Sequence, residues 1–178
     1  CMSALMHDDV RSHGSGNAGL TNFIRNYGAG SALFVILIDA GKAVLACLTA
    51  GLLLAPYGCY AVGAAIGGLS VMVGHTFPAL LGFRGGKGIL SGLFIALMLD
   101  WRIALLIVAV FAVIYVLTGY VSLGSVIAAT VFGVGLAIAY WGNWVVMLCS
   151  ITMGALAAFM HRGNIARLIS GTERKTNL

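Results

Sequence analysis

Three stretches of the sequence gather glycine, asparagine, histidine and basic side chains: HGSGNAGLTNFIRNYGAGS at 13–31, GHTFPALLGFRGGKG at 74–88 and HRGNIARLISGTERK at 161–175. The second ends in Gly85, Gly86, Lys87 and Gly88, where unhindered backbone N–H groups stand beside one ammonium just before an apolar run. Amides, the positive end of a helix and a lysine all favour a phosphate at such a place. It is not a nucleotide P-loop, which would need Gly where Leu81 stands and Ser or Thr where Gly88 stands. In the first stretch Ser15 and Asn17 precede Arg25, so a hydroxyl and a fork-shaped guanidinium suited to phosphate oxygens lie close in sequence. In the third, His161, Asn164 and Arg167 recur every three residues, and a helical continuation of the preceding apolar run would project them from one face. One such stretch reads as an ordinary polar loop. Three together read as a site for phosphate groups. Arg162, Arg174 and Lys175 also suit membrane-surface anchors, and Glu173 could orient a basic residue as easily as act as a base.

The elements that must position these residues lie in lipid. Of 178 residues, 61% are hydrophobic and 8% charged, and the mean hydropathy is +1.03; a soluble domain carries about 25% charged residues. That composition excludes both a water-soluble globule and a disordered chain. The apolar stretches are continuous rather than alternating, which argues against a β-barrel. The net charge of +5 is scattered, with no basic run for nucleic acid. Cys1, Cys47, Cys59 and Cys149 show neither zinc-site spacing nor a disulfide framework, no metal or cofactor is implied, and the N-terminus lacks a signal-peptide pattern.

The fold expected is all-α: a single polytopic membrane helix bundle over 1–178, with six spans at 31–55, 59–74, 88–100, 102–118, 122–140 and 143–160. Residues 1–30 form a polar segment carrying the first motif, and 161–178 carry the last. The weakest span is 88–100, whose rise of about 18 Å falls short of a ~30 Å hydrocarbon core; an earlier start within the glycine-rich loop and a distorted helix packed inside protein are the alternatives. Gly63 and Gly67 make a GxxxG spacing that signals helix packing. Trp101, Trp141 and Trp144 sit at span ends, as interfacial anchors should. Threading six spans puts eight of the ten Lys and Arg residues on the side of the three motifs and only Arg102 on the other, with Lys42 inside a span. The positive-inside rule then places the motifs and both ends of this chain in the cytoplasm. Asp39 and Lys42 are costly inside an apolar span unless they pair, as i,i+3 spacing allows, or serve the site.

On these residues the chain resembles the bacterial membrane-bound acyl-phosphate:glycerol-3-phosphate acyltransferase family. GSGNAGLTNFIR, GHTFPALLGFRGGKG and HRGNIARLISGTE resemble its three motifs, in order; DAGK (39–42) and YVSLGS (120–125) match as well. The family normally has seven spans and opens on an apolar helix that this sequence lacks. Gly119 stands where the family usually has Arg, and Leu20 where it has Ala.

The resemblance implies transfer of a fatty acyl group from acyl phosphate to the 1-hydroxyl of glycerol 3-phosphate, in the inner membrane of a bacterium, with a functional link to the enzyme that makes acyl phosphate. It implies Ser15, Arg25, Lys87 and His161 as catalytic residues. Asn17, Thr21, Asn22, Lys42, His75, Gly85, Gly86, Gly88, Ser122, Asn164, Arg167 and Glu173 would bind substrate. His161 is the general-base candidate, with a substrate phosphate oxygen as the other proton acceptor; His75 suits either a backbone hydrogen bond or the site. Two phosphate-bearing substrates and one long tail account for basic residues collected at the edge of a lipid-embedded bundle. A transporter or channel for a small phosphorylated anion is the competing class. It expects polar groups on the opposite face, where the sequence has almost none.

Overall fold

The computed structural model describes residues 12–13 and 19–175. Among the described residues eight α-helices follow in order: α1 Leu20–Tyr27, α2 Ala29–Leu54, α3 Tyr60–Thr76, α4 Ile89–Leu99, α5 Trp101–Thr118, α6 Val121–Ala139, α7 Trp144–Met160 and α8 Arg162–Ile169. Each of the six apolar segments becomes one helix, α2 to α7, within a few residues of the expected bounds. Three are long and apolar enough to cross a membrane alone: α2, α5 and α6. α7 meets that test only together with α8, across a bend of 55°. α3 and α4 are shorter apolar helices.

The short α4 is tolerable because protein surrounds it. Eleven residues rise about 17 Å, too little for the hydrocarbon core, but Ser91, Gly92, Ile95 and Ala96 are buried and the helix packs against α2, α3, α5 and α6. A short helix inside a bundle leaves its backbone ends facing protein rather than lipid. At its far end Tyr140 Oη donates to the Leu99 carbonyl at 2.6 Å, and Asp100 caps α5 by accepting from Arg102 N at 2.9 Å.

Lipid gives no hydrophobic force between helices, so close backbone approach must supply the packing. Gly63 and Gly67 do this for α2 against α3: a Cβ at either would overlap a carbonyl of Ala50 or Ala46. Gly133 and Gly154 do it for α6 against α7, their backbones in direct contact. The core is correspondingly small-sided, with Ala43, Cys47, Ala64, Ala65 and Ala96 fully buried. Large apolar residues such as Leu53, Val116 and Leu117 point outward, more than 70% exposed, as the lipid-facing surface of a membrane bundle requires. Trp101, Trp141 and Trp144 are exposed too, at the end away from the three motifs.

Two polar segments depart from expectation. Residues 20–27 are helical rather than loop, a strongly amphipathic helix of about two turns that lies against α2. The last span does not continue straight through His161; the chain bends there, and α8 starts in a new direction. Asn164 and Arg167 still share one face of α8, whereas His161 is held by the end of α7.

Candidate active site

Where α3, α5 and α7 end and α4 and α6 begin, the bundle encloses a cavity of about 700 Å³. Its polar part is lined by Asn22, His75, Lys87, His161, Asn164 and Glu173. An apolar limb continues between α4, α5 and α6, along Leu93, Ile107, Phe111 and Ala128. Val108, 47% exposed, lines both this limb and the outer surface of α5. The cavity therefore reaches the lipid-facing side of the bundle.

Lys87 is delivered by the start of α4. Gly88 precedes that helix at φ 78°, a left-handed conformation that glycine accepts readily, and a Cβ there would press on the Met72 methyl at 2.7 Å. The Lys87 ammonium donates to Asn164 Oδ1 at 2.5 Å. Asn164 Nδ2 donates to Glu173 Oε1 at 2.8 Å, and Arg167 Nε donates to Glu173 Oε2 at 2.6 Å. A chain of polar contacts thus joins three elements: the glycine loop, α8 and the segment after it. Burial works to raise the Glu173 carboxyl, but the hydrogen bonds from Asn164 and Arg167 and the arginine charge outweigh it and hold the group below the usual carboxylate range. Glu173 is thereby a fixed anion that aims two donors. Arg174 and Thr172 complete this wall.

His161 is 3% exposed and its Nδ1 lies 2.8 Å from the Ala157 carbonyl. A carbonyl only accepts, so Nδ1 carries the hydrogen and the Nε2 of the neutral ring is left as an acceptor. Ser122, buried on α6, lines the cavity one turn before Ser125.

The glycine loop corrects an expectation. Gly85 N donates to the Thr76 carbonyl and Gly86 N to the His75 carbonyl, both at 3.1 Å. These two amides cap the end of α3 and are not presented to a ligand. Gly85 and Gly86 are glycine for closeness: a Cβ would overlap the His75 carbonyl oxygen in one case and its Nε2 in the other. Gly88, by contrast, lines the cavity.

Lys42 also differs from a simple binding role. Its ammonium donates to Asp39 Oδ1 at 2.6 Å and to His75 Nδ1 at 2.5 Å, and the residue is absent from the cavity lining, whereas Asp39 and His75 are part of it. An ammonium only donates, so His75 carries its ring hydrogen on Nε2. The two histidines of the cavity are held in opposite tautomers.

Asn22 is buried on α1, donates to the His13 carbonyl at 3.0 Å and lines the cavity. Ser15 and Asn17 lie outside the described residues; Thr21 and Arg25 fall on α1, with their side chains outside the description. Sequence reasoning missed the apolar limb, because Leu93, Ile107 and Phe111 are of the same types as the residues facing lipid. Arg174, for which a surface anchor was one of the readings, lines the cavity. The three-residue spacing that puts Ser122, Ser125 and Ala128 on one stripe of α6 was the available signal.

The family model described as glycerol-3-phosphate acyltransferase matches residues 1–171. The glycerol-3-phosphate acyltransferase of Thermoanaerobacter sp. (strain X514) is 39% identical over 167 residues, 94% of this chain and 81% of the relative. That of Synechococcus sp. (strain CC9902) is 38% identical over 165 residues, 93% of this chain and 80% of the relative. Among solved structures the chain is similar to PlsY (YgiH), an integral membrane glycerol 3-phosphate acyltransferase. Its glycerol 3-phosphate form gives a TM-score of 0.87 at 31% identity, covering 99% of this chain and 86% of that one. Its lysophosphatidic acid form gives 0.85 at the same identity and coverage.

Proposed function

This chain belongs to the glycerol-3-phosphate acyltransferase family, and from that premise we propose that it transfers a fatty acyl group from acyl phosphate to the 1-hydroxyl of glycerol 3-phosphate, releasing 1-acyl-glycerol 3-phosphate and inorganic phosphate. The observation that carries this reading is one cavity with two characters: a cationic, hydrogen-bonding end and an apolar limb open toward lipid. A phosphorylated polyol needs the first. An acyl tail needs the second.

Acyl phosphate is a mixed anhydride, so no covalent enzyme intermediate is needed and the residues have to orient and to stabilise charge. Lys87 and Arg167 bind the phosphate of glycerol 3-phosphate, with Asn164 as the neutral donor between them. Ser15, Asn17, Thr21, Asn22 and Arg25 hold the acyl phosphate. The 1-hydroxyl oxygen attacks the acyl carbon, the acyl–phosphate C–O bond then breaks, and phosphate departs with its electron pair. His161 Nε2 accepts the hydrogen bond of the attacking hydroxyl and aligns it. Because burial penalises an imidazolium, the proton passes to an oxygen of the departing phosphate.

The motif end of the bundle faces the cytoplasm of a bacterial inner membrane in this reading, close to the enzyme that supplies acyl phosphate. The direct test is release of inorganic phosphate from palmitoyl phosphate by the purified protein in detergent, with the product identified by mass spectrometry. Release that depends on glycerol 3-phosphate and yields the 1-acyl ester supports the proposal; release without it, or a requirement for a thioester donor, refutes it.

A further inference from the structure

We infer that Asp39, Lys42 and His75 are a positioning device that folds the glycine loop and thereby sets where Lys87 enters the cavity. The inference rests on the reading of Lys87 as a ligand for the phosphate of glycerol 3-phosphate. Charged side chains within an apolar span are costly, and pairing Asp39 with Lys42 on α2 would by itself answer that cost. The fold adds a third contact, across 33 positions, from the Lys42 ammonium to His75 Nδ1 on the last turn of α3. This fixes the imidazole in one rotamer and one tautomer, with Asp39 Oδ1 3.6 Å from the same nitrogen.

His75 is then the surface on which the loop is laid. Its carbonyl receives the Gly86 amide, and the neighbouring Thr76 carbonyl receives the Gly85 amide. Its ring edge lies so near Gly86 that no side chain fits between them. Lys87 follows at once, and with it the start of α4. Any displacement of the imidazole is therefore passed to the ammonium one residue beyond. Lys42 does not reach the cavity, so its effect on the phosphate runs through His75 rather than through contact.

The test uses the full chain in detergent, with glycerol 3-phosphate and palmitoyl phosphate varied separately. In Asp39→Leu combined with Lys42→Met both charges go together, a replacement that folded proteins often tolerate. The expected result is a KM for glycerol 3-phosphate raised on the order of 10- to 100-fold, as for a small misplacement made at a distance, with the KM for palmitoyl phosphate unchanged. A folded double variant with an unaltered KM for glycerol 3-phosphate, or with both KM values raised alike, overturns the inference. Should the double variant not fold, His75→Asn keeps an acceptor for Lys42 but removes the ring edge from Gly86, and carries the same expectation and the same refutation. A second readout is coupling: Gly86→Ala should be severe in the wild-type background and add little in His75→Ala, where the ring it would strike is gone. Equal losses in the two backgrounds count against the device. An inactive wild type refutes the acyl-phosphate reading instead, which keeps the two failures apart.

Discussion

Replacing Lys87 with Met removes one ammonium while keeping an unbranched stem of similar length at the start of α4. Asn164, which accepts from Lys87, is also tied to Glu173 through its Nδ2. The amide therefore stays in place when the ammonium goes, and the loss falls on its bond to Asn164 Oδ1 and on the proposed phosphate contact. A hydrogen bond to a charged group is worth about 1.5–3 kcal/mol, and two unit charges ~4 Å apart near a protein surface interact by up to about 4 kcal/mol. The two figures describe overlapping effects, so the larger sets the scale: about 3–4 kcal/mol. At about 1.4 kcal/mol per factor of ten, kcat/KM for glycerol 3-phosphate should fall between about 10²- and 10³-fold. Phosphate release in detergent measures it, with thermal unfolding run alongside to show an intact bundle. A folded Lys87→Met protein that retains wild-type kcat/KM would refute the assignment of Lys87 to the phosphate. Arg at this position should restore only part of the activity, since a planar fork does not reproduce a point charge.

Other perturbations follow from the same geometry. Glu173→Gln should lower thermal stability at neutral pH: the folded carboxyl titrates below its usual range, so its contribution is complete above that range and lost as pH falls through the depressed value. The gap in melting temperature between the two proteins should hold through mildly acidic pH and close in stronger acid; a gap that is constant at all pH values would refute this. Gly63→Leu forces a side chain into the Ala50 carbonyl, so by the usual scale of overpacking it should destabilise by about 1–3 kcal/mol or more, seen as a lower melting temperature in detergent. Cys59 is exposed at the end opposite the motifs, and on the proposed orientation a membrane-impermeant maleimide should label it from outside the inner membrane; protection there with labelling from the cytoplasm would reverse the proposed topology. His161→Asn should reduce kcat more than it raises either KM, because an aligning acceptor matters most in the transition state; the reverse split would make His161 a binding residue.

The cations of the cavity are already engaged before any substrate arrives. Arg167 is held by Glu173 and Lys87 by Asn164, while the other carboxylate lining the cavity, Asp39, is paired with Lys42. A bare cluster of three cations beside lipid would pay heavily for desolvation and repulsion. Glu173 offsets part of that cost and leaves an excess of positive charge for the proposed phosphate. The arrangement also fixes direction, because Glu173 and Asn164 hold their donors in defined geometry before binding, which lowers the ordering cost when a ligand arrives.

What the sequence made legible divides along a physical line. The apolar helices were legible because lipid imposes a single requirement, apolar side chains all round, and α2 to α7 fall within a few residues of the bounds read from charge and turn positions, although α2, α5 and α6 alone are each long and apolar enough to cross a membrane unaided. Polar site residues were legible for the complementary reason: in a chain with 8% charged residues, each Lys, Arg, Asn or His needs a purpose. The apolar limb was not, because Ile107 facing a cavity and Leu105 facing lipid obey the same rule. Nor were the roles of Gly85 and Gly86. A GGKG run is equally consistent with amides offered to an anion and with amides folded back on a neighbouring helix, and only the location of His75, brought to the loop by the packing of α3, decides between them. The same packing explains why an Asp and a Lys stand inside α2. From sequence they are an i,i+3 pair; in space they reach a third residue, His75, and through it the loop that carries Lys87.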